Sequence, residues 1–224
     1  MAVVLFDLEG TLVQSIENDK EAILEFRIKT REKLLELRVP LNELKDVTTS
    51  TLMRNRALQY VRKHFNEREA ERFHLEMDRF LKRYELSWAD QSEIFPDTLP
   101  ALNRLRELGY RMGIITNTSR EAADRILSMH GIANFFEVII TREDVKELKP
   151  DPEGILLALK KLNAQDFFFV GDLVHDSKAT ERAGGKCIIV NRNPLKRLEF
   201  QADYVVKSLM DISGLIQSLV TGND

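Results

Sequence analysis

The 224-residue sequence predicts an α/β fold, a parallel β-sheet core with an α-helical bundle inserted after its first strand. Three observations predict it. The chain opens on a short apolar run, VVLF, that stops at Asp7. A glycine-poor, highly charged stretch follows from about Ser15 to Trp88, with apolar residues recurring every three or four positions. From about Glu93 onward, short apolar runs alternate with amphipathic helical segments, the pattern of βαβ units.

Each element follows from its local pattern. VVLF is wholly apolar, as a strand covered on both faces should be. In the charged stretch, Ile16, Ile23, Phe26, Thr30, Leu34 and Leu37 form one helical stripe, and Leu58, Val61 and Phe65 a second. Phe73, Met77, Phe80 and Tyr84 form a third, and Pro40 is the only break. These stripes predict a packed antiparallel bundle, with Arg31, Arg54 and Arg62 on solvated faces. Beyond Glu93 the pairs read LPALNRLREL then RMGIIT, AADRILSMHG then FFEVII, GILLALKKL then FFFVGD, and SKATERAGG then CIIV. The first strand belongs with this half, so the organisation expected is a Rossmann-like core of residues 1–14 and 92–224 with a helical domain at 15–91.

Composition narrows the function classes. Hydrophobic residues are 43% and charged residues 31% of the chain, a globular balance with a heavily ionised surface. With 33 Lys and Arg against 36 Asp and Glu, the net charge of −3 argues against nucleic-acid or anionic-membrane partners. The apolar run at the start, Ala2–Phe6, is too short for a signal peptide, and no run approaches the ~20 residues of a membrane span. The single cysteine, Cys187, lies in the apolar run KCIIV and reads as a buried thiol in a reducing compartment. A soluble, cytoplasmic protein is expected.

Parallel sheets of this kind bind ligands at the carboxyl ends of their strands. The residues there are chemically pointed. The first strand ends in Asp7 and Glu9, followed by Gly10 and Thr11. GIIT ends in Thr116 and Asn117, VII leads to Lys149 and Pro150, and FFFV runs into Gly171, Asp172 and Asp176. Acids, a hydroxyl and one lysine at four strand ends suit a phosphate with a divalent cation. Read singly, Asp176 could cap the helix through Arg182, and Thr116 or Ser119 could cap the helix that follows. His64, His74, His130 and His175 show no metal-ligand spacing. A phosphate-binding P-loop, a calcium loop and a G-x-S-x-G elbow are all missing.

At these residues the chain resembles the haloacid dehalogenase-like hydrolase superfamily, in particular its phosphoglycolate-phosphatase-like members with a helical cap after the first strand. Asp7-Leu8-Glu9-Gly10-Thr11 lines up with the first motif, D-x-D-G-T. Thr116 lines up with the second, Lys149 with the third, and Gly171-Asp172 through Asp176 with the fourth, G-D-x-x-x-D. The resemblance spans the whole chain, and four motifs in order are specific where one would not be. It implies Mg2+-dependent hydrolysis of a small phosphorylated metabolite through an aspartyl-phosphate on Asp7. It further implies Mg2+ held by Asp7, the backbone carbonyl of Glu9 and Asp172, with Asp176 binding directly or through water. Thr116 and the amide of Asn117 would bind phosphate oxygens, Lys149 would neutralise charge and orient Asp7, and Glu9 would be the acid/base.

The departure from the family pattern is Glu9, where most of its phosphatases carry Asp. Glu adds one methylene, about 1.5 Å of reach, at a point where geometry matters to catalysis. Enolase-phosphatase, in the same superfamily, is similar here, so Glu is compatible with hydrolysis. A phosphate-binding protein that no longer turns over, or a phosphomutase, would share the same motifs.

Overall fold

The computed structural model describes residues 2–14, 20–47, 49–193, 198 and 200–221; Ser15 and Ile16, the predicted domain edge and the head of the first stripe, lie outside them. In chain order the elements begin with β1 (Val3–Phe6), α1 (Lys20–Glu36), α2 (Ser50–His64), α3 (Glu67–Ala89), α4 (Thr98–Glu107), β2 (Met112–Ile115) and α5 (Arg120–Met129). They continue with β3 (Val138–Ile140), α6 (Glu153–Leu162), β4 (Phe167–Gly171), α7 (Val174–Ala183), β5 (Lys186–Val190), β6 (Tyr204–Val206) and α8 (Ile212–Thr221). The chain divides into two compact units, Met1–Ser15 with Ser92–Asp224, and Ile16–Gln91.

The first unit is built on one sheet, in the order β3-β2-β1-β4-β5-β6 with every pair parallel. The α/β, Rossmann-like fold expected from the alternating pattern is therefore the fold observed. Every residue of β1, β2 and β4 is buried, which is why their sequences are continuous apolar runs rather than alternating ones. On one face α6 and α7 cover the strands through Ile155, Leu159, Leu162 and Ala179. β6 was not legible as a strand. It has three residues at the sheet edge and is only half buried, so it lacks the apolar signal of its neighbours. FFEVII is a strand only over Val138–Ile140, because Ala133–Phe135 forms a 3-10 turn.

The strand order carries a functional consequence. From β1 the chain builds outward through β2 to β3, and then returns to the other side of β1 for β4, β5 and β6. The crossovers diverge between β1 and β4, which opens a crevice at the carboxyl ends of these adjacent strands. Phe6 pairs with Ile114 on one side and Val170 on the other, so the strands end nearly level. The two chain crossings to the inserted segment also run together in this unit. Gln14 N donates to Glu93 O at 2.7 Å, and Phe95 N to Leu12 O at 3.2 Å. Arg192 braces both, with Nη2 2.9 Å from Thr11 O, Nη1 2.7 Å from Asp97 Oδ2, and the guanidinium stacked on Phe95.

The second unit is the helical bundle. Its core gathers Phe26, Leu34, Leu58, Phe73, Met77 and Phe80 from the three predicted stripes. Thr30, a polar residue within the first stripe, is buried because its hydroxyl donates to Phe26 O at 2.7 Å, inside the helix. Helix starts are marked by local chemistry. Thr49 accepts from Leu52 N, and Asn66 with Glu69 forms a reciprocal capping box. Arg54 is a correction, since it is 7% exposed where a solvated face was expected. It lies four residues before Leu58 and three before Ala57, and so shares their buried face.

Among the described residues no helix is long and apolar enough to cross a membrane. Cys187 is buried, and burial pushes its thiol up to about 12, which leaves it inert as a nucleophile.

Candidate active site

β1 extends one residue past Phe6, because Asp7 N still donates to Val170 O of β4 at 2.9 Å. That bond fixes the Asp7 backbone at the sheet's carboxyl edge, and the residue is 8% exposed. Lys149, 5% exposed, reaches it from the loop after β3. Its Nζ lies 2.6 Å from Asp7 Oδ1 and 2.7 Å from Asp176 Oδ1. Asp176, 1% exposed, uses its other oxygen to accept from the amides of Asp172 and Leu173 at 3.1 and 3.0 Å. Asp176 thus does both things the sequence left open: it caps the start of α7 and it faces the site through Lys149.

Two glycines make this closeness possible. A Cβ on Gly171 would collide with the Asp176 carboxylate, and one on Gly10 with the Asp172 carboxylate. Gly10 also has φ +86°, a left-handed conformation that glycine adopts without strain. Thr11 Oγ1 donates to Asp172 Oδ1 at 3.3 Å, so the turn after β1 and the end of β4 meet at that carboxylate.

The electrostatics are unbalanced. Burial raises the Asp7 carboxyl to about 6, outweighing the attraction of Lys149, while Asp176 adds repulsion. Burial alone would lower the Lys149 ammonium, but Asp176 and Asp7 together hold it well above the ordinary lysine value. Lys149 therefore stays charged, as one cation shared between two buried carboxylates. Asp7, Asp172 and Asp176 each offer an oxygen, and these lie within 4.8 Å of one another. Three hard oxygen donors with an uncompensated negative charge suit a small divalent cation.

The remaining candidates sit around this centre. Thr116, just past β2, is buried, and its hydroxyl accepts from Thr118 N at 3.2 Å. Asn117 clamps Lys149 at two points. Its Oδ1 accepts from Lys149 N at 3.0 Å, and its Nδ2 donates to Lys149 O at 3.2 Å. The Asn117 side chain is thereby committed to the lysine loop. Glu9 accepts a hydrogen bond on Oε2 from Thr118 Oγ1. Sequence reasoning passed over Thr118 and the Asn117 side chain. The run T-N-T-S after a strand held the signal, but not which hydroxyl faced which partner.

The geometry can be set beside known proteins. A family model described as "Haloacid dehalogenase-like hydrolase" matches residues 4–190. The chain is 28% identical over 231 residues to Pyrophosphatase PpaX of Listeria innocua, covering 97% of each. It is 34% identical over 116 residues to Pyrophosphatase PpaX of Bacillus velezensis, covering 50% of this chain and 54% of that one. The crystal structure of a HAD phosphatase from Thermococcus onnurineus, 25% identical, superposes with a TM-score of 0.60 over 96% of this chain and 98% of its own. The strand-end motifs, the sheet order and these matches agree, and the chain belongs to the haloacid dehalogenase-like hydrolase family.

Proposed function

We propose that this protein hydrolyses a small phosphomonoester in a Mg2+-dependent reaction with Asp7 as the nucleophile. The observation that carries the reading is Lys149, buried and bonded to both Asp7 and Asp176 beside Asp172. A structural ion pair needs one acid; a lysine shared between two, next to a third, is an arrangement for anionic chemistry.

In this reading an Asp7 oxygen attacks phosphorus while the bond from phosphorus to the leaving oxygen breaks, giving an aspartyl-phosphate. Glu9 gives its proton to the leaving oxygen. It then takes a proton from the water that attacks phosphorus, which releases phosphate and restores Asp7. Lys149 orients Asp7 and offsets charge on the transferring group, while the Thr116 hydroxyl and the Asn117 amide hold phosphate oxygens. Asp7, Asp172 and the Glu9 carbonyl would hold Mg2+, with Asp176 behind them. The ion would supply Lewis-acid neutralisation of the phosphate dianion facing these carboxylates.

A second substrate reading, inorganic pyrophosphate, is favoured by the pyrophosphatase relative that matches 97% of the chain. The leaving group is then phosphate itself, which needs less help from an acid than an alkoxide does. The test is a panel of p-nitrophenyl phosphate, phosphoglycolate, sugar phosphates and pyrophosphate, each with Mg2+ and with EDTA. Turnover that requires Mg2+ is expected, and the preferred member names the substrate class. Undiminished turnover in EDTA would overturn the mechanism.

A further inference from the structure

We propose that Arg192 is a positioning residue for the cation centre: it pins the turn after β1 and, through Thr11, steadies the Asp172 carboxylate. This role rests on the Mg2+-dependent hydrolase reading above and deepens it.

Asp7, Thr116 and Asp172 stand one residue past β1, β2 and β4, and Arg192 stands two residues past β5. β4 lies between β5 and β1. Two strand spacings, about 10 Å, therefore separate the end of β5 from the turn after β1, which calls for a long side chain. Arg192 is held before it reaches that turn. Its guanidinium lies over the Phe95 ring, 3.8 Å from the centroid, and Nη1 donates to Asp97 Oδ2 at 2.7 Å. The same Asp97 oxygen accepts from Ser208 Oγ at 2.7 Å and from Leu209 N at 2.9 Å, so Asp97 is fixed from a second direction. Burial opposes ionisation of Asp97, but the bonds from Arg192, Ser208 and Leu209 hold its carboxyl below the ordinary value. With Nη1 committed, Nη2 is aimed at Thr11 O and donates at 2.9 Å.

Thr11 carries this restraint onward. It is fully buried, and its turn is closed by Gly10 N donating to Val13 O at 2.7 Å and Leu12 N to Leu8 O at 2.9 Å. Its hydroxyl donates to Asp172 Oδ1 at 3.3 Å. That contact is longer than an ordinary O–H···O bond, so a shift of a few tenths of an ångström in Thr11 would break it. Fixing the Thr11 carbonyl keeps the hydroxyl within reach. Asp172 is one of the three carboxylates whose oxygens lie within 4.8 Å of one another. A hydrogen bond on such a carboxylate orients it, and removing partners of this kind costs about 10- to 100-fold in metal affinity.

The test is Mn2+ binding followed by EPR of the free ion, with Mn2+ as the paramagnetic counterpart of Mg2+ for oxygen ligands. Arg192→Met should weaken binding by roughly tenfold, and Thr11→Val by a similar factor. The double variant should be no worse than about twofold beyond either single one, because both changes break one path. Thr11→Ser, which keeps the hydroxyl, should recover most of the loss. Arg192→Lys keeps the charge but not the planar fork that spans Asp97 and Thr11, so it should recover little. Phe26→Ala, destabilised in the helical unit, should bind Mn2+ as the wild type does. Arg192→Gln repeats the comparison should methionine not fit the site.

Wild-type affinity in Arg192→Met, multiplied losses in the double variant, no recovery with serine or full recovery with lysine would each overturn the role of Arg192. An equal loss in Phe26→Ala would also overturn it, since binding would then merely follow stability. All of these leave the hydrolase reading intact. A wild-type protein that neither binds Mn2+ nor turns over any panel member with Mg2+ would overturn that reading and this inference with it.

Discussion

In the sheet-bearing unit Asp7, just past β1, and Asp176, in the first turn of α7, are almost wholly buried and both bonded to Lys149 from the loop after β3. In the helical unit the interior is made of rings. Phe26 meets Trp88 at 4.7 Å, Tyr84 at 5.0 Å and Phe80 at 6.2 Å between centroids. That unit also buries Arg54 and Glu85, yet among the described residues no trio of metal-ligating side chains gathers there. The difference has a physical origin. Parallel strands end level and leave backbone groups and side chains converging on one edge, where charges can be held by several elements at once. Packed helices present side chains radially and best bury apolar ones. Buried charges converge on one another at the strand ends, whereas the bundle interior is mainly apolar.

The sharpest way to break this comparison is Asp7→Asn. Turnover should fall by at least about a thousandfold, because the amide is a far weaker nucleophile. The same change should stabilise the metal-free fold at neutral pH. The Asp7 carboxyl moves from an ordinary 3.8 to about 6 on folding, so the folded state holds the proton more tightly than the unfolded one. Stability therefore falls as pH rises from the lower value through the upper, by on the order of 3 kcal/mol in all. Asparagine cannot ionise and escapes that cost. Melts in EDTA should show Asp7→Asn more stable at pH 7.5, with the gap closing as pH falls from about 6 to 3.8. A variant less stable at pH 7.5 would mean that Lys149 more than compensates burial.

Phe26→Ala tests the other region. It opens a cavity in the ring cluster and should cost about 3 kcal/mol. Trp88 is the only tryptophan in the chain and packs directly on Phe26, so its fluorescence reports this unit alone. The fluorescence transition should move to lower temperature. An unchanged transition would show that the rings contribute little to the bundle.

The smallest effect is expected at a solvated pair. Lys29 and Glu32 lie 3.1 Å apart on α1 with about half of each side chain exposed. Glu32→Gln should leave Tm within about 2 °C of the wild type, since water already solvates both charges. A drop as large as that of Phe26→Ala would erase the contrast between a solvated ion pair and a buried ring.

Much of this was legible in the chain. The runs VVLF, MGII, FFFVG and CIIV are strands because each is without a charged or polar side chain, and the stripes through Phe26, Leu58 and Phe73 are helices because their spacing is local. β6 escaped because it is three residues long, two half-buried about an exposed Val205, too short a run to stand out. Arg54 escaped because its charge was weighed above its position on the Leu58 face.

The sequence by itself determined the fold class, the succession of elements and the strand ends that bear Asp7, Glu9, Thr116, Lys149 and Asp172. These are properties of neighbours along the chain, set by continuous apolar runs, by a period near 3.6 and by turn residues. Only the tertiary structure decided which of those side chains touch. Lys149 lies 142 residues from Asp7 and 27 from Asp176, and Thr118 lies 109 from Glu9. Such pairs depend on the order and register of the strands, which place β1 beside both β2 and β4. No local pattern encodes that order, because it is settled by the burial of the whole sheet at once.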